Sequence, residues 1–346
     1  MQTKMLTKHA APGLWTLAWR RLRADRVAML ALAVAGAFLL LLTLSASGLI
    51  VSDWEEEVGI NYAPPSFLAS EAGSVGRVGR VSASVTRHEP PPPNEFDPLA
   101  ADLEALRAEL PAAALAPPER RPTLPFGADK WGHDVIKKTI KGGETSIVVG
   151  LVAALVAVGL GTLFGAVSGF YGGLVDDFFN WFYSIFTAIP SILMILTVAA
   201  VLQQKGVMTI VLILGLTGWT GPFRLIRAEY IKHKAREYVM AADAIGASSW
   251  RKMFSHIFPN VSHVALVQMS ILVVGFIKAE VILSFLGFGV PVGVVSWGSM
   301  LNEAQNELIL GKWWQLTAAA TAMALLVTAF SLFTDALRDA LDPKVK

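Results

Sequence analysis

The chain has 346 residues, of which 54% are hydrophobic and only 16% charged, with a mean hydropathy of +0.53. Soluble domains average about 25% charged residues, so this composition is that of an integral membrane protein, and a formal net charge of +2 gives no sign of a nucleic-acid partner. Cysteine is absent, which rules out disulfides, thiol catalysis and Cys-ligated zinc, and the scattered histidines form no metal-binding spacing.

Residues 1–26 carry Lys4, Lys8, Arg20, Arg21, Arg23 and Arg26 against one acid, Asp25, and an apolar run from Val27 to Val51 follows. That run suffices to cross a hydrocarbon core of about 30 Å, and its basic flank places the N-terminus in the cytoplasm. Ser45-Ala46-Ser47 has the look of a signal-peptidase site, but the run exceeds the usual signal core of about 7–15 residues. It reads as a retained anchor, so residues 1–51 form a cytoplasmic N-terminus and first span.

Residues 52–125 hold 12 of the 18 prolines, including Pro90 to Pro93, and few large apolar side chains. Such a segment buries little and is expected to be extended or partly disordered, as an extracytoplasmic insertion between the first two spans. One island has helical spacing: Asp97 as cap, Pro98 in the first turn, then Leu99, Leu103, Leu106 and Leu110 along one stripe. The insertion is either a solvated elaboration or a docking surface for a substrate-capturing partner.

Next comes Phe126-Gly127-Ala128-Asp129-Lys130-Trp131-Gly132-His133-Asp134-Val135, whose glycines predict a tight turn and whose Asp134 predicts a helix cap. His133 reads as structural. Lys137, Lys138 and Lys141 then fall on the outer face, against the positive-inside rule.

The second span, Ser146 to Phe170, places Ala157, Gly161, Gly165 and Gly169 at every fourth position. A seam of small residues lets another helix backbone approach closely. A short inner turn, Tyr171 to Asp177, leads to a third span from about Phe178 to Leu202. Its Pro190 cannot donate to the Phe186 carbonyl, so a kink is predicted there, as a hinge or as a fixed bend. After the outer turn Gln203 to Gly206, a fourth span from Val207 to about Pro222 returns the chain inward.

A polar passage then separates two apolar runs, and its excess of Arg224, Arg227, Lys232, Lys234, Arg236, Arg251 and Lys252 over acids fits the inner face. Its helix signals predict one short helix up to Ile245 and a break at Gly246. A second helix, capped by Ser248 or Ser249, is predicted to stop near Pro259. With small Ala241, Ala242 and Ala247 at the bend, the two helices make a compact knuckle able to enter a groove on a partner.

The fifth span, roughly Val264 to Gly287, contains Lys278 and Glu280, which point about 200° apart on a helix and so cannot simply pair. Glu280 either lines a translocation path, together with Ser284 and Pro190, or snorkels at the outer headgroups with Lys278. Ser296 to Ala304 is assigned to an outer loop, Trp313-Trp314 to an interfacial aromatic anchor, and Trp314 to Phe333 to the sixth span. Residues 126–346 thus make a five-helix core with its loop at about 229–260, and both termini of the six-span chain fall inside.

Several of these stretches carry a resemblance. Ala241-Ala242, three residues, Gly246, then Pro259 after twelve more, looks like the coupling loop of the membrane permeases of bacterial ABC importers. The fuller string Glu237-Tyr238-Val239 through Gly246-Ala247-Ser248 to His256-Ile257-Phe258-Pro259-Asn260 resembles the dipeptide/oligopeptide/nickel permease family. So do Phe126 to Asp134, Tyr171 to Asp176, Glu280 to Gly289, Trp297 to Leu301 and the tail Thr334 to Pro343. Met240 stands where the coupling motif has its Glu, so a polar contact there is weakened or replaced by apolar packing.

The resemblance implies an all-α fold of the type I ABC importer permease kind in the inner membrane of a bacterium. It also implies alternating access driven from outside the chain. The partners would be a second homologous permease, two ATP-binding cassette subunits carrying ATP and Mg, an extracytoplasmic substrate-binding protein and membrane lipid. No Gly-x-x-x-x-Gly-Lys-Ser/Thr occurs in the chain, so no catalytic residue, cofactor or metal is assigned to it. Peptides are the expected cargo, with nickel or oligosaccharide as alternatives on the same scaffold. A secondary transporter, from another class, would show inverted repeats and a pair of broken helices, and the sequence displays no clear pair.

Overall fold

The computed structural model describes residues 14–68 and 120–341. Lys4, Lys8, the run Pro90 to Pro93, the leucine stripe from Asp97 to Leu110, and Pro343 lie outside them. The chain divides into two compact units, residues 53–137 and the remainder.

In the larger unit, α1 (Leu14–Ala24) ends at Asp25, whose carboxylate accepts the backbone N–H groups of Val27 and Ala28 and so caps α2 (Arg26–Ala46). Ala18, Leu22 and Ala28 bury themselves against Leu337, Ala340 and Leu341 of α12 (Trp314–Leu341).

Helix α3 (Val135–Tyr171) is 37 residues long, about 55 Å at 1.5 Å per residue, well beyond the ~30 Å a bilayer core needs. Its surplus length carries the three lysines, and each has an acid. Lys137 meets Asp53, Lys138 lies 2.6 Å from Glu303, and Lys141 lies 2.9 Å from Glu144. Those partners explain charges that loop counting leaves unexplained.

The small-residue seam of α3 packs within this chain, on α7 (Thr220–Lys234). A Cβ at Gly161 would stand 2.6 Å from the Trp219 carbonyl, and one at Gly169 would stand 2.6 Å from that of Arg227. Ahead of α7, Trp219 is enclosed by the rings of Phe164, Phe182, Phe186 and Phe223.

The predicted third span is not one kinked helix. It is α4 (Gly173–Thr187) and α5 (Ser191–Leu202), bent by 83°. Pro190 takes an extended backbone (φ −53°, ψ 131°), and the residue before a proline is steered away from helix, so the chain breaks rather than kinks. Among the described residues five helical stretches are long and apolar enough to cross a membrane, and six if this bent pair counts as one. The fourth is also longer than expected, because α6 (Val207–Thr217) runs on into α7 as a 28-residue span.

Helices α8 (Glu237–Ala244) and α9 (Ser249–Arg251) and a π-helical turn (Lys252–Ile257) lead into α10 (Phe258–Phe285). Residues assigned to an outer loop instead form α11 (Trp297–Ile309). A reciprocal cap starts it: the Ser296 hydroxyl accepts from the Ser299 N–H, and the Ser299 hydroxyl from the Ser296 N–H. Trp314 is corrected too, since it is 3% exposed and packed inside rather than anchored at a lipid interface.

The smaller unit departs from the expected boundary after residue 125. Residues 58–66 pair with 121–132 through backbone hydrogen bonds, among them Arg121 N–H to the Val58 carbonyl (2.8 Å) and Ala128 N–H to the Ala63 carbonyl (2.8 Å). Thus the flanks of the proline-rich stretch fold with the segment that follows, around buried Ala63, Leu124 and Ala128. Buried Asp129 accepts the N–H groups of Trp131 and His133 and faces the His133 ring nitrogen at 2.9 Å, a structural role for that histidine. Asp134 caps α3 through the Ile136 N–H, as its position predicts.

Candidate functional site

The polar passage between α7 and α10 folds as a bent pair of short segments, and the bend has a defined chemistry. Ile245 closes α8 and Gly246 follows at φ +79°, a left-handed backbone that glycine adopts without a Cβ penalty. The Gly246 N–H donates to the Asp243 carbonyl (2.9 Å) and the Ala247 N–H to the Ala242 carbonyl (3.0 Å). This pattern satisfies the last carbonyls of a helix and stops it. The Ser248 hydroxyl then accepts the Arg251 N–H, capping the next segment.

That segment does not stop near Pro259, as the sequence leads one to expect. The π turn widens the helix just ahead of the proline, with the Phe258 N–H reaching back to Met253. Pro259 then falls in the first turn of α10, directly after the widened turn, and the helix continues through it. The Asn260 side-chain amide donates to the His256 carbonyl (2.8 Å) across the start of α10.

One face of the knuckle is fastened to the membrane helices. Val239 of α8 and Met253 and Ile257 of the π turn form a single buried cluster with Ala166 and Phe170 of α3, Ile226 and Tyr230 of α7, and Val261 of α10. The Tyr230 hydroxyl donates to the Met253 carbonyl at 3.1 Å. Across the bend Lys252 pairs with Asp243, which holds that exposed carboxyl below its usual range, and the same ammonium sits 5.8 Å above the Phe170 ring. His233 and the Tyr238 hydroxyl share a hydrogen bond of 2.8 Å, joining the end of α7 to the start of α8.

The opposite face is open and apolar at its rim. Met240, Ile245 and Trp250 are 55%, 85% and 63% exposed, with Ala241 and Gly246 exposed beside them. Among the residues singled out by the motif, Ala242 points inward and Ala247 is half-buried. Glu237, Tyr238, Met240, Ala241, Gly246, Ser248, Pro259 and Asn260 are exposed, and His256 is half-buried. Sequence reasoning missed Tyr230, Met253 and Ile257, the residues that fasten the knuckle, because in a membrane helix or an amphipathic turn they look like any other apolar position.

The three residues assigned to a translocation path are not brought together. Glu280 is 0% exposed and accepts hydrogen bonds of 2.6 Å from both Ser146 of α3 and Ser284 of its own helix. The Trp297 N–H donates in turn to the Ser146 hydroxyl. Glu280 and Ser284 therefore join α3, α10 and α11, and the enclosed carboxyl does not snorkel toward headgroups. Lys278 points the other way and is exposed. Pro190 lies elsewhere, at the break between α4 and α5.

A second tie escapes the sequence. Arg227 of α7, one of the basic residues whose excess marks the inner face, grips Asp176 of α4, which also accepts from Ser168 of α3. No group of three or more His, Cys, Asp or Glu residues among the described residues is arranged to hold a metal.

Comparison with known proteins bears on this geometry. The family described as "Binding-protein-dependent transport system inner membrane component" matches residues 161–346, which include the whole knuckle. A second family, "N-terminal TM domain of oligopeptide transport permease C", matches residues 13–65. Over 221 residues the chain is 36% identical to the dipeptide transport system permease protein of Bacillus subtilis strain 168, covering 64% of this chain and 69% of that protein. The oligopeptide transport system permease protein of the same organism is 37% identical over 221 residues (64% and 72%). The corresponding oligopeptide permease protein of Haemophilus influenzae is 33% identical over 219 residues (63% and 70%).

Proposed function

Because the chain belongs to the family of binding-protein-dependent transport system inner membrane components, we propose that its knuckle is the point at which a separate ATPase moves it. The protein is a non-catalytic, multi-pass membrane subunit of an ABC importer. Its cargo is read as peptide, since the relatives above are named as dipeptide and oligopeptide permeases. Nickel and oligosaccharide have no such support. A secondary-transport mechanism gives way to the family match, and among the described residues there is one broken span, not the pair that such a mechanism predicts.

The observation that carries the coupling role is the two-faced construction of the knuckle. A lever must be stiff toward the body it moves and adhesive toward the body that moves it. Stiffness is supported by the buried cluster joining Val239, Met253 and Ile257 to α3, α7 and α10. Adhesion is supported by the rim of Met240, Ile245 and Trp250, since aromatic and apolar side chains seated in a groove supply most of the energy of such contacts. Met240 fits this account: it adds apolar area in place of a carboxylate.

The full assembly in this reading has a second, similar permease completing the pore. Two ATP-binding cassette subunits bind ATP and Mg, and an extracytoplasmic binding protein delivers peptide. Both termini lie on the knuckle's side of the membrane. The test is Ile245→Asp in the purified permease pair mixed with its ATPase subunits. Loss of ATPase co-purification with the permease pair intact supports the reading, and undiminished co-purification overturns it.

A further inference from the structure

The break between α4 and α5 opens onto a cavity of about 270 Å³ lined by Phe186, Thr187, Pro190, Ser191, Thr217 and Thr220, among others. Within this protein Ala188, Ile189, Pro190 and Ser191 are all exposed. Exposed side chains are common in the candidate spans, but here the exposed backbone is also irregular. A helix end leaves up to four carbonyls, and a helix start up to four N–H groups, without intrahelical partners. Lipid cannot satisfy them, so irregular backbone at membrane depth survives only where protein covers it or water reaches it.

The side chains around the break point to water. Four hydroxyl residues gather at one cavity, and two of them are already committed in a definite direction. Thr187 donates to the Tyr183 carbonyl (3.1 Å) and Thr217 to the Ile213 carbonyl (2.7 Å). A hydroxyl has one proton, so each of these has only acceptor capacity left for the cavity. The end of α4 adds backbone carbonyls and the start of α5, which has no side-chain cap, adds backbone N–H groups, so the break offers both acceptors and donors. A ligand that meets such a site needs both kinds of group, and the two committed threonines call for its N–H donors, a combination that a peptide backbone carries.

We propose that this cavity is a contact point for cargo in transit, and that it takes the N–H groups of a peptide backbone. The proposal rests on the importer reading above and deepens it. Size sets how much is held: ligand pockets for drug-sized molecules span about 300–1,000 Å³, so a cavity just below that range holds one or two residues of a peptide, not a whole oligopeptide. Its apolar members, Phe186, Ile189 and Met194, carry no directional group, and Met adapts to neighbours of different shape. The site therefore reads the backbone and tolerates the side chains.

The natural absence of cysteine makes the test direct. Single Thr187→Cys, Ser191→Cys and Thr217→Cys variants are placed in the complete transporter in proteoliposomes. They are treated with a charged, membrane-impermeant methanethiosulfonate from either side, beside Leu155→Cys on the exposed face of α3 as a lipid-facing control. The expected result is labelling at the three positions and none at Leu155→Cys, with labelling lost when a transportable peptide is present. The same peptide N-methylated along its backbone is expected to protect less. Labelling no faster than the control would overturn the proposal, since the break then faces lipid or a subunit interface. Labelling indifferent to peptide would overturn it too, because the cavity is then wet but empty of cargo. ATP-dependent peptide uptake by the cysteine-free parent is measured alongside: its failure sinks the importer reading, whereas intact uptake with peptide-indifferent labelling sinks only the site.

Discussion

Arg227 holds Asp176 through two parallel hydrogen bonds, Nε to Oδ1 at 2.6 Å and a terminal guanidinium nitrogen to Oδ2 at 2.5 Å. The pair is half-buried, and Ser168 donates to the same carboxylate. Three helices meet there: α4, which leads to the broken span, α7, which leads to the knuckle, and α3 between them. The pair is thus a direct link from the knuckle's support to the helix at the cavity. Exposed pairs contribute about 0–1 kcal/mol and breaking a buried one costs about 3–5 kcal/mol, so Asp176→Asn is expected to lose an intermediate amount. Arg227→Met combined with Asp176→Asn should lose less than the sum of the two single variants. Thermal unfolding of the four proteins in detergent gives that cycle, and strict additivity would show that the two side chains do not act as a pair.

Glu280 lends itself to a sharper distinction between packing and transport. Its two oxygens accept from Ser146 and Ser284 inside a fully enclosed junction. Glutamine keeps the shape and one acceptor, and its amide can donate to a serine that turns to accept. Glu280→Gln is expected to retain peptide uptake. Glu280→Leu strands both hydroxyls in an apolar interior, at about 1–3 kcal/mol for each buried group left unsatisfied. Melting temperature separates the two variants, and a Gln variant that melts normally but does not transport would return Glu280 to a role in the path.

Glycines on α3 are not equivalent, and their positions predict opposite signs. A Cβ at Gly165 would stand 2.8 Å from the Phe223 carbonyl and 3.0 Å from the Arg227 nitrogen, so Gly165→Ala must push α7 away. Overpacking of this kind costs about 1–3 kcal/mol. At Gly159 nothing lies within 4 Å of the added carbon. Gly159→Ala should therefore stabilise the helix by roughly 0.5–1 kcal/mol through lost backbone freedom in the unfolded chain. Equal effects at the two positions would mean that α3 and α7 do not pack as described.

These cases show why the sequence was readable in some places and silent in others. Periodicity and length located the spans, because a bilayer imposes them one helix at a time. The knuckle's bend was legible because Gly246 and Ser248 act on their immediate neighbours. The seam from Gly161 to Gly169 announced a close helix contact, but its partner is set by which helices happen to be adjacent. Asp176 and Arg227 are 51 residues apart and Ser146 and Glu280 are 134 apart, and no local signal joins them. Pro190 was visible as an interruption, while no local signal sets the 83° angle between α4 and α5. The π turn before Pro259 was hidden for a different reason: a proline reads as a stop unless the preceding turn widens to admit it.

Gly246 separates the knuckle's own fold from its use by a partner. Its φ of +79° makes any side chain other than glycine strained, yet an added Cβ would meet nothing within 4 Å. In the permease alone the penalty is therefore conformational, about 1–2 kcal/mol and nearly independent of side-chain size. Gly246→Ala and Gly246→Trp should then melt at similar temperatures, with Gly246→Asn closer to the parent because asparagine tolerates this backbone. In the assembled transporter size should begin to matter, because the open space beside Gly246 is where a docked ATPase would lie. Gly246→Trp is expected to abolish ATP-driven uptake, whereas Gly246→Ala keeps part of it. If the two variants transported equally well, the partner would not approach this bend, and the lever would have to be gripped elsewhere.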